Sequence, residues 1–100
     1  MTDKNRVVLT VITEASLESR LISAMESHGV RGYTITDARG KGQRGRRSGD
    51  WDFERNIRVE SICSAEVAAK VSKELEAKFY RDYAMVLYSY DVNVLRPDKF

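Results

Sequence analysis

Five basic residues, Arg39, Lys41, Arg44, Arg46 and Arg47, fall between Ala38 and Gly49 with no acid among them, and Gly40, Gly42, Gly45 and Gly49 are interleaved with them. Small residues let backbone N–H groups approach an anion, and guanidinium forks grip phosphate oxygens in pairs. Lys41, Arg44 and Arg47 recur at every third position, so a polyphosphate or phosphoribosyl group is a natural guest. The same composition also fits nucleic acid held through its backbone charge, or a solvated basic loop. The Gly-x-Gly-x-x-Gly string in Gly40–Gly45 is not a dinucleotide fingerprint. That motif opens a helix, whereas here Arg46-Arg47-Ser48-Gly49-Asp50 follows without helical periodicity.

The remaining reactive residue types form no catalytic set. His28 is the one histidine and stands where a helix pattern ends, a place for capping rather than proton transfer. Cys63, the one cysteine, lies beside Ile62 and reads as a small buried side chain. It cannot form an internal disulfide, in keeping with a reducing compartment. No Cys/His spacing suits zinc, and Asp50, Asp52 and Glu54 lack the glycine and terminal acid of a calcium loop. Neither an enzyme nor a metal site is expected. The chain has 100 residues, 17 Lys+Arg against 15 Asp+Glu and a formal charge of +2, which fits one domain with little room for an enclosed pocket of its own. A deep ligand site is therefore expected between subunits. Apolar runs fall short of the roughly 18 residues of a membrane span, and Met1–Arg6 lacks a signal peptide's apolar region. The expected location is cytoplasmic.

The elements that must position the basic loop are legible from periodicity. Val7–Ile12 is apolar on both alternating faces, like a central strand. Thr13 is expected to cap a helix over about Glu14–His28, with Leu17, Leu21 and Met25 on its buried stripe and Gly29 as its left-handed stop. Gly32–Asp37 reads as the second strand, the loop occupies about Ala38–Phe53, and Arg55–Ile62 alternates as a half-exposed third strand. Ser64 caps a second helix whose Val67, Val71, Leu75 and Phe79 step by four. Ala84–Tyr90 is the fourth strand and Asp91–Phe100 a tail. The βαββαβ order is that of a ferredoxin-like α+β sandwich, with both helices on one face of an antiparallel sheet. Val8, Thr10 and Ile12 then point to the open face, which a second copy or the tail must cover.

The segment Gly32-Tyr33-Thr34-Ile35-Thr36-Asp37-Ala38-Arg39-Gly40-Lys41-Gly42-Gln43-Arg44-Gly45-Arg46-Arg47-Ser48 resembles the approach to the long T-loop of PII-like signalling proteins. Asn56–Glu60 after the loop, Phe79-Tyr80-Arg81-Asp82-Tyr83-Ala84 before the last strand, and Phe100 extend the likeness over nearly the whole chain. It is strongest to the SbtB and carboxysome-associated group linked to inorganic-carbon uptake. The resemblance implies a homotrimer with adenine nucleotides in the clefts between neighbours and a T-loop whose order follows the ligand. On this sequence it implies Gly40, Lys41, Gly42 and Gln43 at the loop base, Arg44 and Arg47 on phosphate, and Tyr83, Ala84 and Met85 as the adjacent wall. Met85 stands where glycine is usual in the SbtB branch.

The expected function is a non-enzymatic sensor in which ADP or AMP, with bicarbonate as a further anion, orders the loop and so sets binding to a bicarbonate transporter or carboxysome-associated protein. Arg39 and Arg58 are the candidates for the bicarbonate or other anion. Trp51 and Phe53 are apolar groups on the loop that dock on the trimer or anchor in the partner. The alternative is a small RNA-binding module with the arginine-rich loop as a clamp. Its weakness is that the middle strands offer Ile57 and Val59 rather than stacking aromatics.

Overall fold

The computed structural model describes residues 6–40 and 55–100. β1 spans Arg6–Glu14, α1 Glu18–Ser27, β2 Thr34–Ala38, β3 Asn56–Ser64, α2 Ala65–Phe79 and β4 Val86–Val92. The strands form one antiparallel sheet in the order β2-β3-β1-β4. This is the expected ferredoxin-like sandwich. Val7, Leu9 and Val11 of β1, and Ile57, Val59 and Cys63 of β3, turn toward the helices. There they meet Leu17, Leu21, Ala24 and Met25 from one helical segment and Ala68, Val71, Leu75 and Phe79 from the other. Each large side chain in this layer stabilises the fold by roughly 1.5–3 kcal/mol relative to exposure.

Several boundaries differ from the sequence expectation for identifiable reasons. β1 does not stop at Ile12, because its pairing with β3 continues through Thr13↔Ile57 and Glu14↔Asn56. Thr13 is therefore a strand residue and not the helix cap. Its side chain is buried, and among the described residues its hydroxyl has no hydrogen-bond partner. The backbone enters α1 through a 3-10 turn over Ala15–Leu17, with Glu14 accepting a 2.8 Å hydrogen bond from Ser16 Oγ. α1 ends before His28, and Gly29 supplies the expected left-handed stop at φ 98. Ser64 caps α2 as expected, accepting from Val67 N at 3.1 Å. β4 begins two residues later than expected, at Val86, and takes in Asp91 and Val92 from the expected tail.

The open face carries Val8, Thr10 and Ile12 in the centre, flanked by the cross-strand partners Tyr90, Tyr88 and Val86 on β4 and Ile62, Glu60 and Arg58 on β3. Val8 and Thr10 are already buried by these neighbours, whereas Val86, Tyr88 and Tyr90 are 50%, 44% and 49% exposed. The tail crosses one end of the sheet, where Arg6 Nη2 donates to the Pro97 carbonyl at 2.9 Å and Arg31 Nη1 to that of Asp98 at 3.2 Å. It leaves Leu95 96% exposed, so it does not bury the apolar row of β4. Ile57 and Val59 of the middle strand face the helices, and the half-buried β3 positions beside the open face are Arg58, Glu60 and Ile62.

Candidate functional site

The strand directions bring both stretches that could contact a ligand to one end of the sheet. Ala38 pairs with Asn56 and Asn56 with Glu14, so the neck of the basic loop leaves from the β2/β3 side. Ile12 pairs with Val86, so the turn before β4, which contains Tyr83, Ala84 and Met85, lies at the same end. β2 and β4 are opposite edges of the sheet. Three strand spacings separate them, about 14 Å at roughly 4.8 Å each.

The neck is held from three directions. Asp37 and Arg55 form an exposed ion pair at 3.7 Å, Ala38 and Asn56 are sheet partners, and Ala15 N donates to the Arg55 carbonyl at 2.8 Å. Arg39 and Gly40 project beyond it into solvent. A Cβ placed on Gly40 would meet nothing within 4 Å among the described residues, so their packing does not explain a glycine there. Lys41, Gly42, Gln43, Arg44 and Arg47, together with Trp51, Phe53 and the acids Asp50, Asp52 and Glu54, lie outside the described residues.

The turn before β4 is built on the end of α2. The Phe79 carbonyl accepts from Asp82 N at 3.2 Å and Tyr83 N at 2.9 Å. The Phe79 and Tyr83 rings meet edge to face with centroids 5.9 Å apart. Ala84 is exposed, but the Met85 side chain is buried in the core, which leaves its backbone as the part a ligand could touch. Arg58 sits on the open face and donates to the Glu60 carboxylate beside it, so that guanidinium already has an anionic partner.

Residues without a place in this site have structural roles. His28 Nε2 lies 2.6 Å from Glu74 Oε1, tying the end of α1 to α2, and Glu74 Oε2 also meets Lys78 Nζ at 2.7 Å. The hydrogen bond from Lys78, followed by that with His28, holds the Glu74 carboxyl below the usual carboxylate range. Burial pushes the Cys63 thiol up, and the nearby Arg6 charge offsets part of that rise. Among the described residues no group of His, Cys, Asp and Glu could hold a metal ion, and no helix is long and apolar enough to cross a membrane. The sequence reading missed Ala15 and Arg55 at the neck. The opposite charges of Asp37 and Arg55 on either side of the loop were the signal that could have found the closure.

Residues 7–99 match the family model of the nitrogen regulatory protein P-II. The chain belongs to the PII family. A PII-like signalling protein of Thermus thermophilus is 41% identical and superposes with a TM-score of 0.81 over 96% of this chain and 95% of that one. The CPII protein of Thiomonas intermedia, in a structure bound to ADP and bicarbonate, is 25% identical with a TM-score of 0.82, covering 96% of this chain and 94% of its own. The same protein bound to ADP, AMP and acetate aligns at 22% identity and a TM-score of 0.84 over 100% and 98% of the two chains, a likeness of fold. Within the PII family the loop between β2 and β3 is the T-loop, and the likeness of Gly32–Ser48 to PII-like proteins holds at the level of that family.

Proposed function

We propose that the chain is a non-enzymatic PII-like regulatory sensor that binds an adenine nucleotide, ADP or AMP, in clefts between the subunits of a homotrimer. The observation that carries the reading is the placement of the T-loop neck and the Tyr83–Met85 turn at the same end of the sheet but on opposite edges. A small ligand that contacts both is best served by the β2 side of one subunit meeting the β4 side of the next. Two different patches joined in this way close a ring. The exposed row of Val86, Tyr88 and Tyr90 on β4 supplies apolar surface for such a contact. The glycine at Gly40, with no steric cause among the described residues, suits close approach of a ligand or a neighbour.

In this reading Gly40, Lys41, Gly42 and Gln43 cradle the phosphates through their backbone and Lys41. Arg44 and Arg47 grip phosphate oxygens, and Tyr83, Ala84 and Met85 form the wall. Bicarbonate is the proposed second anion, as in the CPII structure that contains it. Arg39, exposed beside the neck, is its better ligand, since Arg58 must first release Glu60. Nucleotide charge neutralises the basic T-loop, and its order sets binding, through Trp51 and Phe53, to a bicarbonate transporter or carboxysome-associated partner, as in the SbtB branch that the T-loop sequence resembles.

Titration calorimetry of arginine variants tests the site. Arg44→Ala and Arg47→Ala should each weaken ADP binding by about 1.5–3 kcal/mol, the range for hydrogen bonds to charged groups, with Arg46→Ala much milder. In this proposal Arg46 and Arg47 point apart, as adjacent side chains do in extended backbone, and so do not both face one small ligand. Equal losses from all three, with steep salt dependence and RNA binding, would instead mark a nucleic-acid clamp.

A further inference from the structure

The turn proposed as the nucleotide wall is held from outside its own helix. Arg20 of α1 places its guanidinium carbon 4.9 Å from the ring centroid of Phe79 and 6.0 Å from that of Tyr83. The two rings stand at 64° to each other, so one planar cation covers the corner they form. Among the described residues Arg20 makes no ion pair, which leaves its charge to the aromatic faces. A guanidinium suits this position because it is flat, weakly hydrated on its faces and always charged.

Without Arg20 the turn would rest on one side only. Phe79 is fully buried and fixed, and its carbonyl receives the Asp82 and Tyr83 N–H groups. Tyr80, Arg81, Asp82 and Ala84 are exposed, so from Phe79 to Met85 the side chains that can set the path of the backbone are Tyr83 and the buried Met85. Tyr83 is half-buried, packed on the core from below. Arg20 covers its other flank. The beginning of the same helical segment, Ala15, binds the Arg55 carbonyl at the T-loop neck. Residues 15–20 thus touch both the neck and the wall.

We propose that Arg20 is a positioning residue for the nucleotide site, clamping Tyr83 and thereby the backbone of Ala84 and Met85 in the conformation that receives the nucleotide. The proposal rests on the reading of Tyr83–Met85 as the wall. An exposed cation–π contact of this kind is worth about a two- to fivefold change in binding.

Calorimetry with ADP and with adenosine on wild-type, Arg20→Ala, Arg20→Gln and Arg20→Lys chains tests it, with the Tyr83 ring resonances followed by NMR. Arg20→Ala and Arg20→Gln should weaken ADP about two- to fivefold and adenosine by the same factor, because a misplaced wall affects both ligands. Arg20→Lys, which keeps a cation over the rings, should restore part of the loss, and the Tyr83 ring resonances should shift in Arg20→Ala. Wild-type ADP affinity in Arg20→Ala would overturn the proposal. A loss confined to ADP would overturn it too, since that is long-range charge attraction rather than positioning. Failure of the functional reading shows separately, as a wild-type chain that binds neither ligand. The Tyr83 resonances still judge the clamp in that case, and an unshifted ring in Arg20→Ala refutes it.

Discussion

Replacing Phe79 by leucine separates what its ring does from what its bulk does. Phe79 is 1% exposed at the last position of α2, meets Tyr83 edge to face at 5.9 Å and lies 4.9 Å beneath Arg20. Leucine keeps an apolar side chain in the core but has no aromatic face. The edge-to-face pair is worth about 0.5–1.5 kcal/mol and the cation–π contact about 0.5–1 kcal/mol, so Phe79→Leu should cost about 1–2.5 kcal/mol. Phe79→Ala also removes most of the buried bulk and leaves a cavity, for a total of about 3–5 kcal/mol. The backbone bonds from Asp82 and Tyr83 to the Phe79 carbonyl are available to both variants. Urea unfolding followed by circular dichroism measures the difference, read as a shift in midpoint at constant slope. Protein concentration must be fixed, because the midpoint of an assembled protein moves with it. A Phe79→Leu chain within about 0.5 kcal/mol of wild type would refute the claim that ring contacts hold this turn. A leucine variant as unstable as the alanine variant would refute the separation of ring from bulk.

Three smaller perturbations probe other parts of the account. Thr13→Val removes a buried hydroxyl that lacks a partner among the described residues and should raise stability by about 1 kcal/mol, or about 4–8 °C in Tm; an unchanged or lower Tm would mean the hydroxyl is satisfied. Ser64→Ala deletes the cap that accepts from Val67 N and should lower stability by about 1 kcal/mol in the same assay, with no loss counting against the cap. Glu74→Gln tests the link between α1 and α2. The folded-state pKa of Glu74 is lowered from 4.5, so its stabilisation is present above that value and disappears as pH falls through the lowered one. Wild type should exceed the variant at neutral pH and converge with it in acid, and a gap that persists once the carboxyl is neutral would contradict the assignment.

The parts of the fold set by periodicity were legible in the sequence, and those set by pairing between distant segments were not. The four-residue steps Leu17-Leu21-Met25 and Val71-Leu75-Phe79 mark the buried stripes because a helix repeats its facing that way. Gly29 and Ser64 declare their roles locally, one by its positive φ and one by its hydroxyl. Thr13 misleads because it has the chemistry of a helix cap, yet the partner that claims it is Ile57, far along the chain. The faces of β3 are ambiguous for a related reason: strict alternation says that Ile57 and Val59 share a side with each other but not which side the helices cover. Of the site, the T-loop announces itself by charge and glycine. The clamp of Arg20 on Phe79 and Tyr83 leaves no sequence signal, since it joins the start of one helix to the end of another.

The most direct test of the central claim is calorimetric titration of ADP into the wild-type protein in the oligomeric state found by light scattering. The account predicts a species of about three 11.4 kDa chains that binds one ADP per chain with micromolar-range affinity, about −8 kcal/mol, and returns the nucleotide unhydrolysed. A monomer that binds ADP fully, or a trimer that binds none, would contradict it.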